Sequence, residues 1–224
     1  MKKAEREESW RKRLLALRSM EDGLHEEGFA MVAGVDEAGR GPLAGPVVAA
    51  CVVLPPKADL PGVDDSKQMT ARQRETAVPR IKEQALAYGL GVVSEKVIDE
   101  INILQATKKA MRAAVLDASA MLRETTGASL SIVLLDAVKL EDLPWPQRSL
   151  VHGDSRSLSI AAASVLAKVT RDAMMVQYDG QYPGYDFASN KGYGTKAHYA
   201  GLKAQGPCAI HRQSFLKKFF KKGR

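Results

Sequence analysis

Gly34-Val35-Asp36-Glu37-Ala38-Gly39-Arg40-Gly41-Pro42-Leu43-Ala44-Gly45-Pro46-Val47-Val48 is the stretch on which the reading of this chain turns. On its left, Ala30–Val35 reads as a short apolar strand that ends in two carboxylates. Gly39–Pro46 holds three glycines and two prolines, so it must be a loop. On its right, Val47–Leu54 is a β-branched run, the pattern of a strand buried on both faces. Gly39, Gly41 and Gly45 imitate a dinucleotide-binding glycine motif, but that motif must open a helix and here a strand follows. Two glycines around Arg40 instead permit close backbone approach to a ligand, with a guanidinium ready for phosphate. A tight hairpin connection would account for the glycines but not for the arginine.

Working outward, Thr70 with Gln73 forms a capping-box pattern opening a helix that Pro79 is expected to bend. Leu86–Val93 reads as a third strand. A long helical stretch follows, with Leu104, Met111, Val115, Ala118 and Leu122 on one stripe. Leu130–Leu135 is a fourth strand and Leu150–Val151 marks a shorter fifth. Ser159–Tyr178 reads as an Ala-rich helix, and Thr195–Gln205 as another, closed by Gly206-Pro207. Upstream, residues 4–20 form a helix with Trp10, Leu14 and Leu17 on one face, ended by Asp22-Gly23. This order predicts an α/β domain with a mixed five-stranded sheet flanked by helices, a helical C-terminal segment and an extra N-terminal helix. The expected division is an N-terminal helical extension at 1–29 and one domain at 30–224.

Composition narrows the classes. The chain has 224 residues, 45% apolar and 26% charged, enough to bury a core. Its net charge of +7 is uneven: residues 1–30 are neutral, 31–190 carry −2 and 191–224 carry +9 with no acid. A basic end on a slightly acidic body is a candidate footprint for a polyanion. The longest apolar run, Val47–Leu54, falls far short of a membrane span, and the charged N-terminus is not a secretory signal. Cys51 and Cys208 have neither metal spacing nor a disulfide framework, so a cytoplasmic location is expected.

The acids point to chemistry. Asp36-Glu37 follows the first strand, Asp136 ends the fourth, and Asp154 follows the fifth. Any one of them alone reads best as a cap or a turn. Three strands that each end in a carboxylate read differently, because open α/β sheets bind ligands at the carboxyl ends of their strands. Gathered acids repel unless a hard cation such as Mg²⁺ or Mn²⁺ neutralises them. One caution is geometric: successive strand residues point to opposite faces, so Asp36 and Glu37 share a site only if the strand ends or bulges there.

The stretch Gly34–Val48 resembles the signature of bacterial ribonuclease HII. Further matches run in the family's order: Asp65-Ser66-Lys67, Asn102–Thr107, Ala162–Asp172, Lys191-Gly192-Tyr193-Gly194-Thr195 and His211–Phe215. The resemblance spans about 30–216. It implies a ribonuclease H-like fold and an endonuclease dependent on two divalent ions, Mg²⁺ or Mn²⁺. Its expected substrates are the RNA strand of RNA–DNA hybrids and duplex DNA with an embedded ribonucleotide, cut on the 5′ side. The family's metal-binding acids would fall on Asp36, Glu37, Asp136 and Asp154. Its element for reading the 2′-hydroxyl would fall on Gly39, Arg40 and Gly41, and its junction tyrosine on Tyr193. Lys67, Ser164 and Lys168 match positions where phosphate contacts are expected. The chain departs from the pattern in its longer start, in Ala137 where glycine is common, and in His152 where lysine is common. The Gly-Arg-Gly spelling argues against the sister ribonuclease HIII.

Two other classes compete. A junction resolvase would share the acids but not the need for a ribonucleotide. A non-catalytic nucleic-acid-binding module would explain the basic end but not acids that repel phosphate. The resemblance suggests a monomer. Gln213–Phe220 places two aromatics after a glutamine at roughly the spacing of a sliding-clamp-binding peptide, although packing against the domain is the favoured reading of those aromatics.

Overall fold

The computed structural model describes residues 3–221. Its elements are α1 (Lys3–Glu26), β1 (Val32–Ala38), β2 (Val47–Val53), α2 (Ala71–Gln84), β3 (Ala87–Val93), α3 (Glu95–Thr126), β4 (Ile132–Asp136) and β5 (Gln147–Leu150). A 3-10 turn at Gly153–Ser155 leads into α4 (Leu158–Gln181), α5 (Phe187–Asn190), α6 (Lys196–Gln205) and α7 (Gln213–Lys221). The sheet has the order β3-β2-β1-β4-β5. β1–β2 and β2–β3 pair antiparallel, whereas β1–β4 and β4–β5 pair parallel. The expected mixed five-stranded sheet is thus present, with helices on both faces.

Alternation along the strands decides which side chains meet which helices. Ala33, Val35, Ala49, Cys51 and Val53 pack with Ala110, Met111, Ala114 and Leu122 of α3. On the other face, Ala50 and Val52 pack with Leu17 of α1, Ile81 of α2, and Ala161, Ala162 and Val165 of α4. β2, buried at every position, explains its unbroken apolar sequence. Gly34 is required where α4 crosses β1: a Cβ there would lie 2.3 Å from the backbone nitrogen of Ile160. A third cluster, with Ala44, Met175, Tyr185, Phe187, Leu202, Ile210 and Leu216, knits the C-terminal helices to the glycine loop.

Several boundaries differ from those expected. β1 continues in regular register through Asp36 and Glu37 to Ala38, because β2 pairs with both acids (Asp36 with Ala50, Glu37 with Ala49). The expected end or bulge between them is not there, yet Glu37 still feels Asp36 and Asp136. α1 continues past Asp22-Gly23 to Glu26, held by Leu24, which is fully buried against Val32, Ile132 and Ile160. α2 keeps its capping box and runs on through Pro79. The long helix is two helices joined at Asn102, whose φ of 67° breaks the run. The Asn102 side chain then caps the second piece, accepting from the N–H groups of Leu104 (3.0 Å) and Gln105 (3.1 Å). β5 precedes Val151 rather than including it.

Candidate active site

Parallel pairing puts the acids together. The β1–β4 register matches Val35 with Leu135, so one step further Asp36 stands abreast of Asp136. β4 pairs Asp136 with Leu150 of β5, and the chain then turns back through Gly153–Ser155, which carries Asp154. The Asp136 carboxylate fixes that turn by accepting the Gly153 N–H at 2.8 Å. Asp36 is 5% exposed and Asp154 3%. Burial, then the neighbouring Glu37 charge, and more weakly Asp136 and Asp154, push the Asp36 carboxyl well above the usual range. The Glu37 N–H, donated to Asp36 at 2.7 Å, opposes this. Glu37 is also raised, by burial first, with Arg40 opposing and Asp136 adding to it.

Two cations already lean on this cluster. Lys67 Nζ donates to Asp154 at 2.9 Å, and Arg40 Nη1 donates to Glu37 at 3.3 Å. Against a desolvation that pulls it down, the Lys67 pKa is raised by the Asp154 hydrogen bond and by the charges of Asp154, Asp65 and Asp36. Among the described residues, no three or more His, Cys, Asp or Glu side chains are gathered so as to hold a metal ion as the rotamers stand. The donor chemistry does fit hard divalent cations: the group is all carboxylate, and burial beside like charge already taxes the ionised forms of Asp36 and Glu37. The side chains of Lys67 and Arg40 are 76% and 48% exposed, so either can swing away and free its carboxylate.

The glycine loop beside the acids is held from beneath by two buried arginines. Arg212, fully buried, donates to the carbonyls of Gly39 (2.6 Å), Arg40 (3.0 Å), Pro42 (2.9 Å), Gly45 (2.7 Å) and Pro46 (3.2 Å). Arg171 donates to Pro46 (2.9 Å), Ala44 (3.0 Å) and Lys191 (2.9 Å). Burial pushes Arg171 down to about 10; burial and the Arg171 charge push Arg212 down to about 9. The Arg171 guanidinium also explains Gly39. Gly39 sits at φ +101°, and a Cβ there would lie 2.1 Å from Arg171 Nε.

Arg171, through Ala44 and Lys191, also ties the loop to the segment that carries Tyr193. The Leu43 N–H donates to the Gly192 carbonyl at 2.8 Å, and the Tyr193 ring approaches Gly41. Tyr193, 47% exposed, borders a groove of about 590 Å³ lined also by Lys168, Asp172, Ser189 and Lys191. Its carbonyl faces His198 Nδ1 at 2.9 Å, and His198 Nε2 meets His211 Nε2 at 2.9 Å. Burial, first in each case, lowers both imidazoles, His211 to about 4.

The expected phosphate ligands are placed unevenly. Lys67 reaches the acids, and Lys168 lines the groove while paired with Asp172 at 2.8 Å. Ser164 is turned inward: 2% exposed, it donates to the Ala161 carbonyl (2.9 Å) and accepts the Ser66 N–H (3.3 Å). It therefore anchors the turn that carries Lys67. Sequence reasoning gave no role to Arg171 or Arg212. Both lie in quoted stretches, and for Arg171 the available signal was its place just after the largely apolar run 160–169.

Comparison with known proteins agrees with this fold. The ribonuclease HII family model matches residues 33–221. A ribonuclease HII of Caldanaerobacter subterraneus is 49% identical over 210 residues, covering 94% of this chain and 84% of the relative. One of Ruminiclostridium cellulolyticum is 52% identical over 207 residues, covering 92% and 78%. Among solved structures, ribonuclease H2 of Pyrococcus horikoshii superposes with a TM-score of 0.66 at 26% identity, covering 86% of this chain and 98% of that one. The ribonuclease HII of Archaeoglobus fulgidus, solved in complex with PCNA, gives 0.61 at 22% identity over 82% and 94%. Bst-RNase HIII in complex with Mn²⁺ gives 0.56 at 22% over 81% and 65%. With its sheet, its strand-end acids and its glycine loop all in place, this chain belongs to the ribonuclease HII family, divalent-metal-dependent endonucleases of the ribonuclease H fold that act on RNA–DNA hybrids.

Proposed function

We propose that Asp36, Glu37, Asp136 and Asp154 hold two divalent ions, Mg²⁺ or Mn²⁺, and that the enzyme also cuts 5′ to single ribonucleotides embedded in duplex DNA. One observation carries this reading: Asp36 and Asp136 stand abreast at the carboxyl ends of parallel β1 and β4, and Asp136 holds the turn that presents the buried Asp154. Bound there, the ions would acidify a water nucleophile and neutralise the leaving oxyanion. The chain's own residues do the rest. Arg40 and Lys67 exchange their carboxylates for backbone phosphates. The Gly39–Gly41 backbone, held rigid by Arg212, meets the 2′-hydroxyl, the one group that separates RNA from DNA at a given position. Tyr193 stacks on the nucleotide beyond the junction, and Lys168 and Lys191 follow the phosphates along the groove. Asp136→Asn tests the assignment: cleavage is lost while duplex binding stays within about threefold. Retained turnover removes Asp136 from the site.

The same reading places the enzyme in the cytoplasm as a monomer; among the described residues no helix is long and apolar enough to cross a membrane. A sliding-clamp partner is supported by the archaeal complex, and Gln213–Phe220 is the segment proposed to reach it. The first turn of α7 is folded onto the domain: Asp99 accepts the Gln213 (2.7 Å) and Ser214 (3.0 Å) N–H groups, and Leu216 is fully buried. Phe215 packs against the α3-side core, with Arg212 over its ring at 5.1 Å. The side chains of Phe219 and Phe220, and the last basic residues, lie outside the described ones. A pull-down with clamp protein tests the contact, and loss of capture on Phe219→Ala/Phe220→Ala would place it there.

A further inference from the structure

The site as described draws nothing from residues 1–29, yet α1 reaches it. Arg13, Leu17 and Glu21 recur at intervals of four and so share one helix face. Leu17 fills the core beneath α4, and the two charged side chains flank it. Glu21 is 6% exposed. Its Oε1 accepts from Ser157 Oγ (2.5 Å), Ser159 N (2.9 Å) and Ser159 Oγ (2.6 Å). Its Oε2 has no partner among the described residues. Ser157 is the N-cap of α4, and its hydroxyl in turn accepts the Ile160 N–H at 3.2 Å. A carboxylate here suits the positive end of that helix and fixes which way the capping hydroxyl points.

Arg13, about two turns earlier on α1, grips the same segment. Its Nη1 donates to the Ser155 carbonyl at 3.2 Å. Its Nε and Nη2 take both oxygens of Asp64, at 2.9 and 2.5 Å. Asp64 accepts the Asp65 N–H (2.8 Å) and Asp65 accepts the Lys67 N–H (2.9 Å), so this pairing orders the turn that presents Lys67. One helix face therefore holds the residues directly after Asp154 and also the turn carrying the lysine that pairs with it.

We propose that Glu21, assisted by Arg13, is a positioning residue for Asp154: through Ser157 and Ser159 it sets the start of α4 and hence the Gly153–Ser155 turn. α1 is then part of the catalytic unit rather than an appendage. The inference rests on Asp154 being a metal-holding carboxylate, as proposed above. Outer partners of metal ligands typically govern about 10–100-fold in affinity or activity. The test measures Mn²⁺ binding to the full chain without substrate, by electron paramagnetic resonance, alongside kcat and KM on a duplex with one ribonucleotide. Glu21→Ala is expected to weaken Mn²⁺ binding and lower kcat by about 10-fold each, with KM nearly unchanged. Glu21→Gln keeps an oxygen acceptor and recovers most of both. If Glu21→Ala lowers only the melting temperature, or only raises KM, the positioning role is refuted. Should Glu21→Ala fail to fold, Arg13→Ala is read by the same criteria. Asp154→Asn separates the two ideas: unchanged Mn²⁺ binding there overturns the role of Asp154 itself, whatever Glu21 does.

Discussion

Replacing Arg212 by Ala removes the donor that the glycine loop depends on. Four carbonyls, those of Gly39, Arg40, Pro42 and Gly45, take hydrogen bonds from this one guanidinium, whereas Pro46 keeps Arg171. At roughly 1 kcal/mol net for each bond, the loss is about 4 kcal/mol. Release of a charge buried beside Arg171 returns part of this, and the vacated space removes some again. The expected net cost is about 3–4 kcal/mol, or a melting temperature lower by roughly 10 °C for a chain of this size. Urea denaturation and thermal melts give the magnitude. Cleavage of ribonucleotide-containing and all-RNA/DNA hybrid duplexes shows whether the loop still discriminates. Arg212→Lys recovers little, because an ammonium cannot span the carbonyls that the planar fork reaches. A cost below about 1 kcal/mol, or full recovery by lysine, would refute the view that this side chain organises the loop.

Three further outcomes follow from the same geometry. Asp36→Asn keeps the acceptor for the Glu37 N–H but removes a carboxylate whose folded pKa is raised, a group that costs stability once pH exceeds its unfolded value. In chelator at pH 7 this variant should be more stable by about 0.5–2 kcal/mol and inactive with metal; a lower melting temperature contradicts the electrostatic reading. His198 and His211 have depressed folded pKa values, so the unfolded chain takes up protons first and stability is lost as pH falls from about 6.5 towards 4. His211→Gln should flatten that slope in pH-dependent denaturation, and an unchanged slope removes the pair from the account. Tyr193→Ala, at a half-exposed site, should alter stability by less than about 0.5 kcal/mol. It should cut turnover on a single embedded ribonucleotide about 10-fold or more, with a smaller loss on hybrids; equal losses would assign the ring a structural role.

Much of the fold was legible because period and punctuation agreed. The β-branched run 47–54, the loop 39–46 and the strand 130–135 left few alternatives, and parallel pairing of β1 with β4 then brought Asp36 and Asp136 abreast. What escaped were features written in tertiary contact. Asn102 breaks α3 by a positive φ that no apolar stripe reveals. Asp36 and Glu37 lie inside β1 because β2 offers partners beyond Val35, where the pairing with β4 ends. Arg171, Arg212 and Glu21 are charged side chains buried against backbone and hydroxyl groups distant in sequence, and local pattern carries no sign of such partners.

The most direct measurement of the central claim is cleavage of a DNA duplex carrying one ribonucleotide, run with Mg²⁺, with Mn²⁺ and with chelator, beside an all-DNA junction of the same length. Incision on the 5′ side of the ribonucleotide, dependent on the metal and absent from the junction, is the predicted result. Cleavage in chelator, cleavage of the junction, or no metal-dependent incision at the ribonucleotide would contradict it.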